Sequence, residues 1–294
     1  MNDAAIRERL AALISTGVAN TPAERVEGGS SDRCLRYQTD KGPVFVKVAD
    51  KNLIERFAAE AAGLEELRAV QAIRVPVVLG IGVAEEHAIL ALEWLDLRAS
   101  TPNTDAMLGE QLAQLHRVKK PLYGWNRGNY IGATMQPNVW SRDWLHFWRT
   151  HRFDVQLDLA AANGADARFL ERATLLSALM DGFFVSYIPD ASLLHGDLWS
   201  GNAAADVRGR PVVFDPAVYY GDRECDLAMT QLFGGFGQAF YAAYRDAWPL
   251  DAGSDTRVDL YNLYHVLNHF NLFGGGYLAQ AERMANRLLA ELGH

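Results

Sequence analysis

His195-Gly196-Asp197-Leu198-Trp199-Ser200-Gly201-Asn202 is the stretch on which the fold assignment turns. Asp197 and Asn202 stand in a D-x-x-x-x-N relation. Phosphoryl transfer to a hydroxyl needs such a pair: a carboxylate that orients the hydroxyl and accepts its proton, and an amide oxygen, a short loop away, that reaches the metal on the phosphates. Both must project from one rigid turn, and Gly196 and Gly201 permit a tight backbone there. Downstream, Val212-Val213-Phe214-Asp215-Pro216 is an apolar strand with a carboxylate at its end, and Pro216 stops the ladder. Asp215 is then placed as a second Mg²⁺ ligand, because hard oxygens from Asn202, Asp215, phosphate and water make a suitable set. Singly, Asp197 reads equally well as a turn residue, Asn202 as a loop cap and Asp215 as a helix cap.

Together the pieces read as a kinase catalytic loop followed by its metal carboxylate. The first third of the chain supplies an independent test. In Val44-Phe45-Val46-Lys47-Val48 the valines share one strand face and Lys47 points to the other. On the next predicted helix, Leu53, Phe57, Glu60, Leu64 and Leu67 form one stripe, so Glu60 sits on the apolar side. A carboxylate there needs a partner, and Lys47 is the natural one. The competing readings are a solvated strand lysine and a Glu60 that bonds local backbone. A strand Lys paired with a helix Glu positions phosphates in protein-kinase-like folds. Ahead of this strand, Gly28-Gly29-Ser30-Ser31 would let backbone N–H groups approach phosphate, although it is neither a Walker A motif nor a full G-x-G-x-x-G. Glu93, Trp94 and Leu95 end a strand where such folds join their lobes and bind the adenine edge, although Glu93 and Leu95 read equally well as linker residues.

The expected architecture is α+β and two-lobed: a small β-rich ATP-binding lobe over residues 1–95 and a larger, mostly helical catalytic and substrate lobe over 96–294. Strands are expected at Cys34 to Tyr37, Val44 to Val48 and His87 to Leu95. Helices are expected at Met1 to Ser15, Leu53 to Val70, Asp105 to Arg117, Trp140 to Leu159 and Phe169 to Ile188. The spacing of Trp140, Trp144 and Trp148, with Trp125 nearby, favours core packing over a cation-binding cluster. The 294 residues carry a formal net charge of −8, which argues against nucleic-acid or anionic-membrane partners. No apolar run reaches the length of a membrane span. Cys34 and Cys225 form no metal or disulfide framework and fit a reducing compartment, the cytoplasm. No feature fixes an oligomeric state.

With these residues in place, the chain resembles the fructosamine kinase (ketosamine kinase) family, within the aminoglycoside-phosphotransferase-like branch of the protein-kinase-like fold. The resemblance runs through GPVFVKV, FAAEAAGLEEL, IRVPVVLGIG, LGEQLAQLH, NYIGATMQPN, WSRDWLHFWR, LLHGDLWSGN and VFDPAVYYGDRECDLAMTQLFGGF. It implies ATP and Mg²⁺ as cofactors and a ketosamine, free or as a glycated amine or protein, as acceptor. Phosphorylation would fall on the sugar C3 hydroxyl and lead to deglycation. By position it implies Asp197 as base, Asn202 and Asp215 as metal ligands, and Lys47 with Glu60 as the phosphate pair. Trp199, Tyr219 and Tyr220 would border the sugar, and Asp226 would brace the catalytic loop, where its plainer role is helix capping. Two positions depart from the family pattern. Ser30 stands where some members carry a loop cysteine, which leaves Cys34 as a packed thiol. Asp222 stands where a histidine often follows YYG, changing local charge or capping a helix. The rivals are an aminoglycoside- or choline-kinase-like phosphotransferase, and a nucleotide-binding pseudokinase, whose usual mark is loss of the Lys, the Asp or a metal ligand.

Overall fold

The computed structural model describes residues 2–26 and 32–294; the Gly28, Gly29, Ser30 and Ser31 expectation therefore lies outside the described residues. The chain begins with helix α1 (Asp3–Ile14) and strands β1 (Glu24–Arg25), β2 (Arg33–Thr39) and β3 (Gly42–Asp50). Helix α2 (Ile54–Val70) follows, then β4 (Val78–Ala84) and β5 (His87–Glu93). The strands form one antiparallel sheet in the order β1-β2-β3-β5-β4. Period-2 patterning decides what each face covers. Val44, Val46 and Val48 turn toward Ile6 and Leu10 of α1 and are buried with them. Each such burial contributes about 1.5–3 kcal/mol. The opposite face, with Leu90 and Leu92, packs on Phe57, Ala61, Leu64 and Leu67 of α2. Lys47 lies on that second face, directly across from Leu90 on one side and Cys34 on the other.

The expected lobe boundary near Asp96 falls in the segment between β5 and α3 (Pro102–His116). Thr101 caps α3 by accepting from Thr104 N at 3.2 Å, and Pro102 occupies its first turn. Two short strands, β6 (Lys119–Lys120) and β7 (Asn129–Ile131), precede β8 (Thr134–Gln136) and the helical stretch α4 (Trp144–Trp148) and α5 (Asp154–Ala162). Then come α6 (Ala167–Leu179), β9 (Ala191–Leu194), β10 (Ala203–Ala205), β11 (Pro211–Val213) and β12 (Tyr219–Gly221). Helices α7 (Glu224–Gln231), α8 (Gln238–Ala247), α9 (Ser254–Phe273) and α10 (Tyr277–Glu291) complete the chain. Helices α3 and α8 touch at Gly109, where a Cβ would lie 2.2 Å from Phe240 O. Only glycine permits that approach.

The expected helix from Trp140 to Leu159 is corrected in two ways. It starts at Trp144, because Asp143 takes the N-cap and accepts from His146 N at 2.6 Å, and Trp140 stays outside it. A π-turn at Arg149–Phe153 then inserts one residue into the ladder. The insertion shifts the helical phase by about 100°, so Gln156 and Leu157 are buried and Val155 is only half-buried. Trp125, Trp144 and Trp148 are core residues, as the packing reading expects. Trp140 instead lies half-exposed, with the Lys120 ammonium 5.6 Å from its ring. Among the described residues no helix is long and apolar enough to cross a membrane. Cys34 and Cys225 are free and buried, and burial pushes the Cys34 thiol up to about 11, which keeps it protonated and unreactive.

Candidate active site

The β10–β11 hairpin explains the spacing of the motif residues. Ala203 pairs with Val213 across it, so Asn202, just before β10, and Asp215, just after β11, emerge side by side at its open end. Phe214 N donates to Asn202 O at 3.1 Å, closing that end. Asn202 Nδ2 reaches back to Asp197 O at 2.9 Å and Asp197 Oδ2 at 3.3 Å. Asp215 holds a left-handed backbone with φ 57°, a conformation that costs a β-substituted residue energy and clusters at functional sites.

The loop around Asp197 is fixed from below. Asp226 on α7 accepts His195 N at 2.7 Å with Oδ2 and Gly196 N at 2.8 Å with Oδ1. His116 on α3 adds a bond to the same Oδ2 at 3.2 Å, and its other ring nitrogen accepts from Tyr244 OH of α8 at 2.8 Å. Burial pulls the Asp226 carboxyl up, but these donors outweigh it and hold it below the usual range. His195 is wholly buried and kept neutral by that burial. Its Nε2–H donates to Phe214 O at 3.1 Å, and its Nδ1 accepts from Asp197 N at 3.3 Å, which fixes the tautomer. Gly196 has φ 83°, and a Cβ there would lie 2.1 Å from Ala217 O. The alternative view of Asp226 as only a helix cap therefore misses its main contacts.

Lys47 lies between two carboxylates, 2.8 Å from Glu60 Oε1 and 2.6 Å from Asp215 Oδ1. It is 5% exposed, which rules out a solvated strand lysine. Burial disfavours its charge, but Asp215 and then Glu60 more than offset this and raise its pKa. Burial pushes Glu60 up to about 7, opposed by Lys47 and assisted by Asp215. Asp197 is also pushed up to about 7, by burial first and then by the charges of Asp215 and Asp226.

Lys47, Glu60, Asp197, Asn202 and Asp215 line one cavity of about 700 Å³. Trp199 lines it too. The structure adds residues that the sequence reading missed. Arg56 of α2 pairs with Asp32, beside the glycine stretch, and both line the cavity. The same lining carries an aromatic wall: Phe233 lies 6.3 Å from Trp199 and 4.5 Å from His269, centroid to centroid. Phe233 has φ 56° and precedes Gly234 and Gly235, both also with positive φ. The available signals were the glycine-bounded phenylalanine and the NHFNLFGGGY stretch, but their distance along the chain from Asp197 gives no hint of contact.

Tyr219 and Tyr220 are not cavity residues, in contrast to the expectation that they border the sugar. They belong to β12, which pairs with β9, and both are 3% exposed. Tyr219 stacks on Phe147 and lies 4.2 Å beneath the Arg152 guanidinium; Tyr220 OH donates to Glu66 at 2.7 Å. Asp222 is a buried acceptor for Tyr187 OH, Tyr261 OH and Glu224 N at 2.8, 2.6 and 2.9 Å, so it supports the start of α7 away from the cavity. Glu93 binds Arg74 at 2.8 Å, and Trp94 Nε1 donates to Asp96 at 2.9 Å. With Leu95 they sit at the end of β5, outside the lining of the main cavity.

Comparison with known proteins agrees with this geometry. Residues 2–291 match the family model described as fructosamine kinase. A probable ketoamine kinase of Synechocystis sp. is 44% identical over 265 residues, covering 90% of this chain and 89% of the relative. A chloroplastic protein-ribulosamine 3-kinase of Arabidopsis thaliana is 40% identical, covering 87% of this chain and 79% of its own length. A solved structure of a candidate fructosamine-3-kinase from Haemophilus somnus superposes with a TM-score of 0.89 at 29% identity, over 97% of this chain and 96% of that one. With Asp197, Asn202, Lys47 and Glu60 gathered at one cavity, the chain belongs to the fructosamine kinase family.

Proposed function

We propose that the chain transfers the γ-phosphate of MgATP to the C3 hydroxyl of a ketosamine, with Asp197 receiving the hydroxyl proton. Family membership gives ATP-dependent phosphorylation of ketosamines; the acceptor hydroxyl, the metal and the residue roles are our reading. The observation that carries it is one cavity lined by Asp197, Asn202, Asp215, Lys47 and Glu60, with a single ammonium seated between two of the carboxylates.

Asp197 orients the acceptor hydroxyl for in-line attack. In a loose transition state the hydroxyl proton leaves late, so a carboxylate suffices as its acceptor. At about 7, Asp197 is a stronger base than an ordinary aspartate near 3.9, yet it is still about half ionised at neutral pH. Lys47 is placed to take phosphate oxygens, and Glu60 holds it there. Asn202 Oδ1 and Asp215 Oδ2 have no hydrogen-bond partner among the described residues, and two open hard oxygens fit Mg²⁺. Bound Mg²⁺ would supply charge neutralisation across the β- and γ-phosphates. Trp199 would flank the sugar, Glu93, Trp94 and Leu95 the adenine. The C3 phosphate is a good leaving group. Its departure as inorganic phosphate leaves an unsaturated imine, which water hydrolyses to the free amine, so the overall role is deglycation. Two free buried thiols fit the cytoplasm as its compartment.

The test is a coupled ADP-release panel of a fructosamine, a ribulosamine and an erythrulosamine against an aminoglycoside and choline, with phosphorus NMR locating the new ester. Turnover of ketosamines with phosphate on C3 is the expected result. ADP release confined to choline or the aminoglycoside would overturn the reading.

A further inference from the structure

The aromatic wall contains a ring nitrogen that the phosphoryl-transfer residues leave unused. His269 lies one turn before the end of α9, and its Nδ1–H donates to His265 O at 2.8 Å. In the neutral ring, Nε2 therefore carries a lone pair, and it has no hydrogen-bond partner among the described residues. Burial keeps the ring neutral by lowering its pKa, against the pull of the His265 carbonyl. The ring lines the same cavity as Asp197. Around it stand Phe233 at 4.5 Å, Tyr277 at 5.2 Å and Phe273 at 5.7 Å, centroid to centroid. The charged residues lining the cavity, Asp32, Lys47, Arg56, Glu60, Asp197 and Asp215, all come from other elements. This wall thus offers π-faces, the Tyr277 hydroxyl and the His269 Nε2 acceptor, but no carboxylate.

A ketosamine differs from a free ketose by a basic secondary amine next to the sugar carbonyl. Protonated at neutral pH, that amine has two N–H donors and polarised methylenes on either side. A neutral imidazole nitrogen accepts such a donor, and flanking aromatic faces favour the cation. We infer that His269 is the specificity-determining residue for the ketosamine ammonium, with Nε2 accepting one N–H while Phe233, Phe273 and Tyr277 face its methylenes. The inference rests on the ketosamine reading above and adds where the nitrogen is recognised. It places the amine substituent toward the α9–α10 corner, where Phe273 is 64% exposed, so the amine's outer arm runs out toward solvent there.

The experiment compares two acceptors at saturating MgATP with the full chain: a fructosamine built on an alkylamine, and the ether in which oxygen replaces its nitrogen. The wild-type KM should be lower for the amine, because the ether offers no N–H and no charge. His269→Phe should lower the ratio of ether KM to amine KM by about tenfold, with the change carried by KM. His269→Gln, which restores an acceptor on the same helix face, should recover part of the ratio. An unchanged ratio in His269→Phe overturns the inference, even if both KM values rise together, as they would if His269 read a sugar hydroxyl or only shaped the wall. Equal KM values for amine and ether in the wild type also overturn it while leaving the ketosamine reading intact. Turnover of neither acceptor, with turnover of choline or an aminoglycoside, overturns both.

Discussion

The two walls of the cleft are built on different principles. One carries Lys47, Glu60, Asp197, Asn202 and Asp215, placed by sheet register, by a three-residue-strand hairpin and by hydrogen bonds of 2.6–3.3 Å. The other carries Phe233, His269, Phe273 and Tyr277, gathered from helix ends and a glycine turn and joined by ring contacts to Trp199 of the Asp197 loop. Hydrogen-bonded ladders fix atoms to a narrow geometry, which phosphoryl transfer needs. Ring packing tolerates larger adjustments, which suits a surface that sorts acceptors. On the proposed roles, the contrast teaches that chemistry and selectivity would rest on differently built parts of one cavity.

That separation can be broken most severely at Asp197. Asp197→Asn should lower kcat by roughly 10³-fold while leaving the KM for MgATP within about twofold, measured by steady-state ADP release. The same variant should melt a few degrees higher at pH 8. The sign follows from a folded pKa of about 7 against an ordinary value of 3.8. Above pH 7 the carboxylate charge costs the fold, and the cost disappears as pH falls and the group protonates. The stabilisation by Asn should therefore shrink on acidification. A lower melting point at pH 8 would contradict the buried, mutually repelling carboxylates of the charged wall.

A smaller effect is expected one layer beneath. Asp226→Asn leaves one of two backbone N–H groups facing another donor, so kcat should fall by about 10–100-fold and stability by about 2–4 kcal/mol, read from urea unfolding. In the wild type, kcat/KM should rise about tenfold per pH unit up to about 7 and then level off, as Asp197 ionises. A profile flat from pH 5 to 8 would remove Asp197 as the titrating base. The mildest change should come from the other wall: Phe273→Ala, at a site 64% exposed, should shift stability by less than about 0.5 kcal/mol. Phe240→Ala, at a fully buried site, should cost about 3–5 kcal/mol.

The charged wall was legible because its residues obey local rules. The D-x-x-x-x-N spacing corresponds to a loop leading into a short hairpin, and the position of Glu60 on an apolar stripe announced a partner across the sheet, which Lys47 supplies. Strands β2, β3 and β5 and helices α2 and α3 followed from the same periodicities. The rest fails for physical reasons that differ by residue. Tyr219 and Tyr220 stand close to Asp215 in sequence, but β12 carries them into the layer behind the loop. The π-turn at Arg149–Phe153 leaves no propensity signal, since its residues are ordinary helix formers. His269 and Phe233 meet Trp199 only through tertiary packing of α7 and α9, which no spacing along the chain encodes.

The chain of bonds from His195 through Asp226 and His116 to Tyr244 has a consequence for how the protein fails. It moors the Asp197 turn to three helices at once, two of them locked together at Gly109. That turn should therefore loosen only as those helices separate. Loss of turnover and loss of helical circular dichroism should then fall on one urea curve, so that the molecule stays fully competent until those helices give way together.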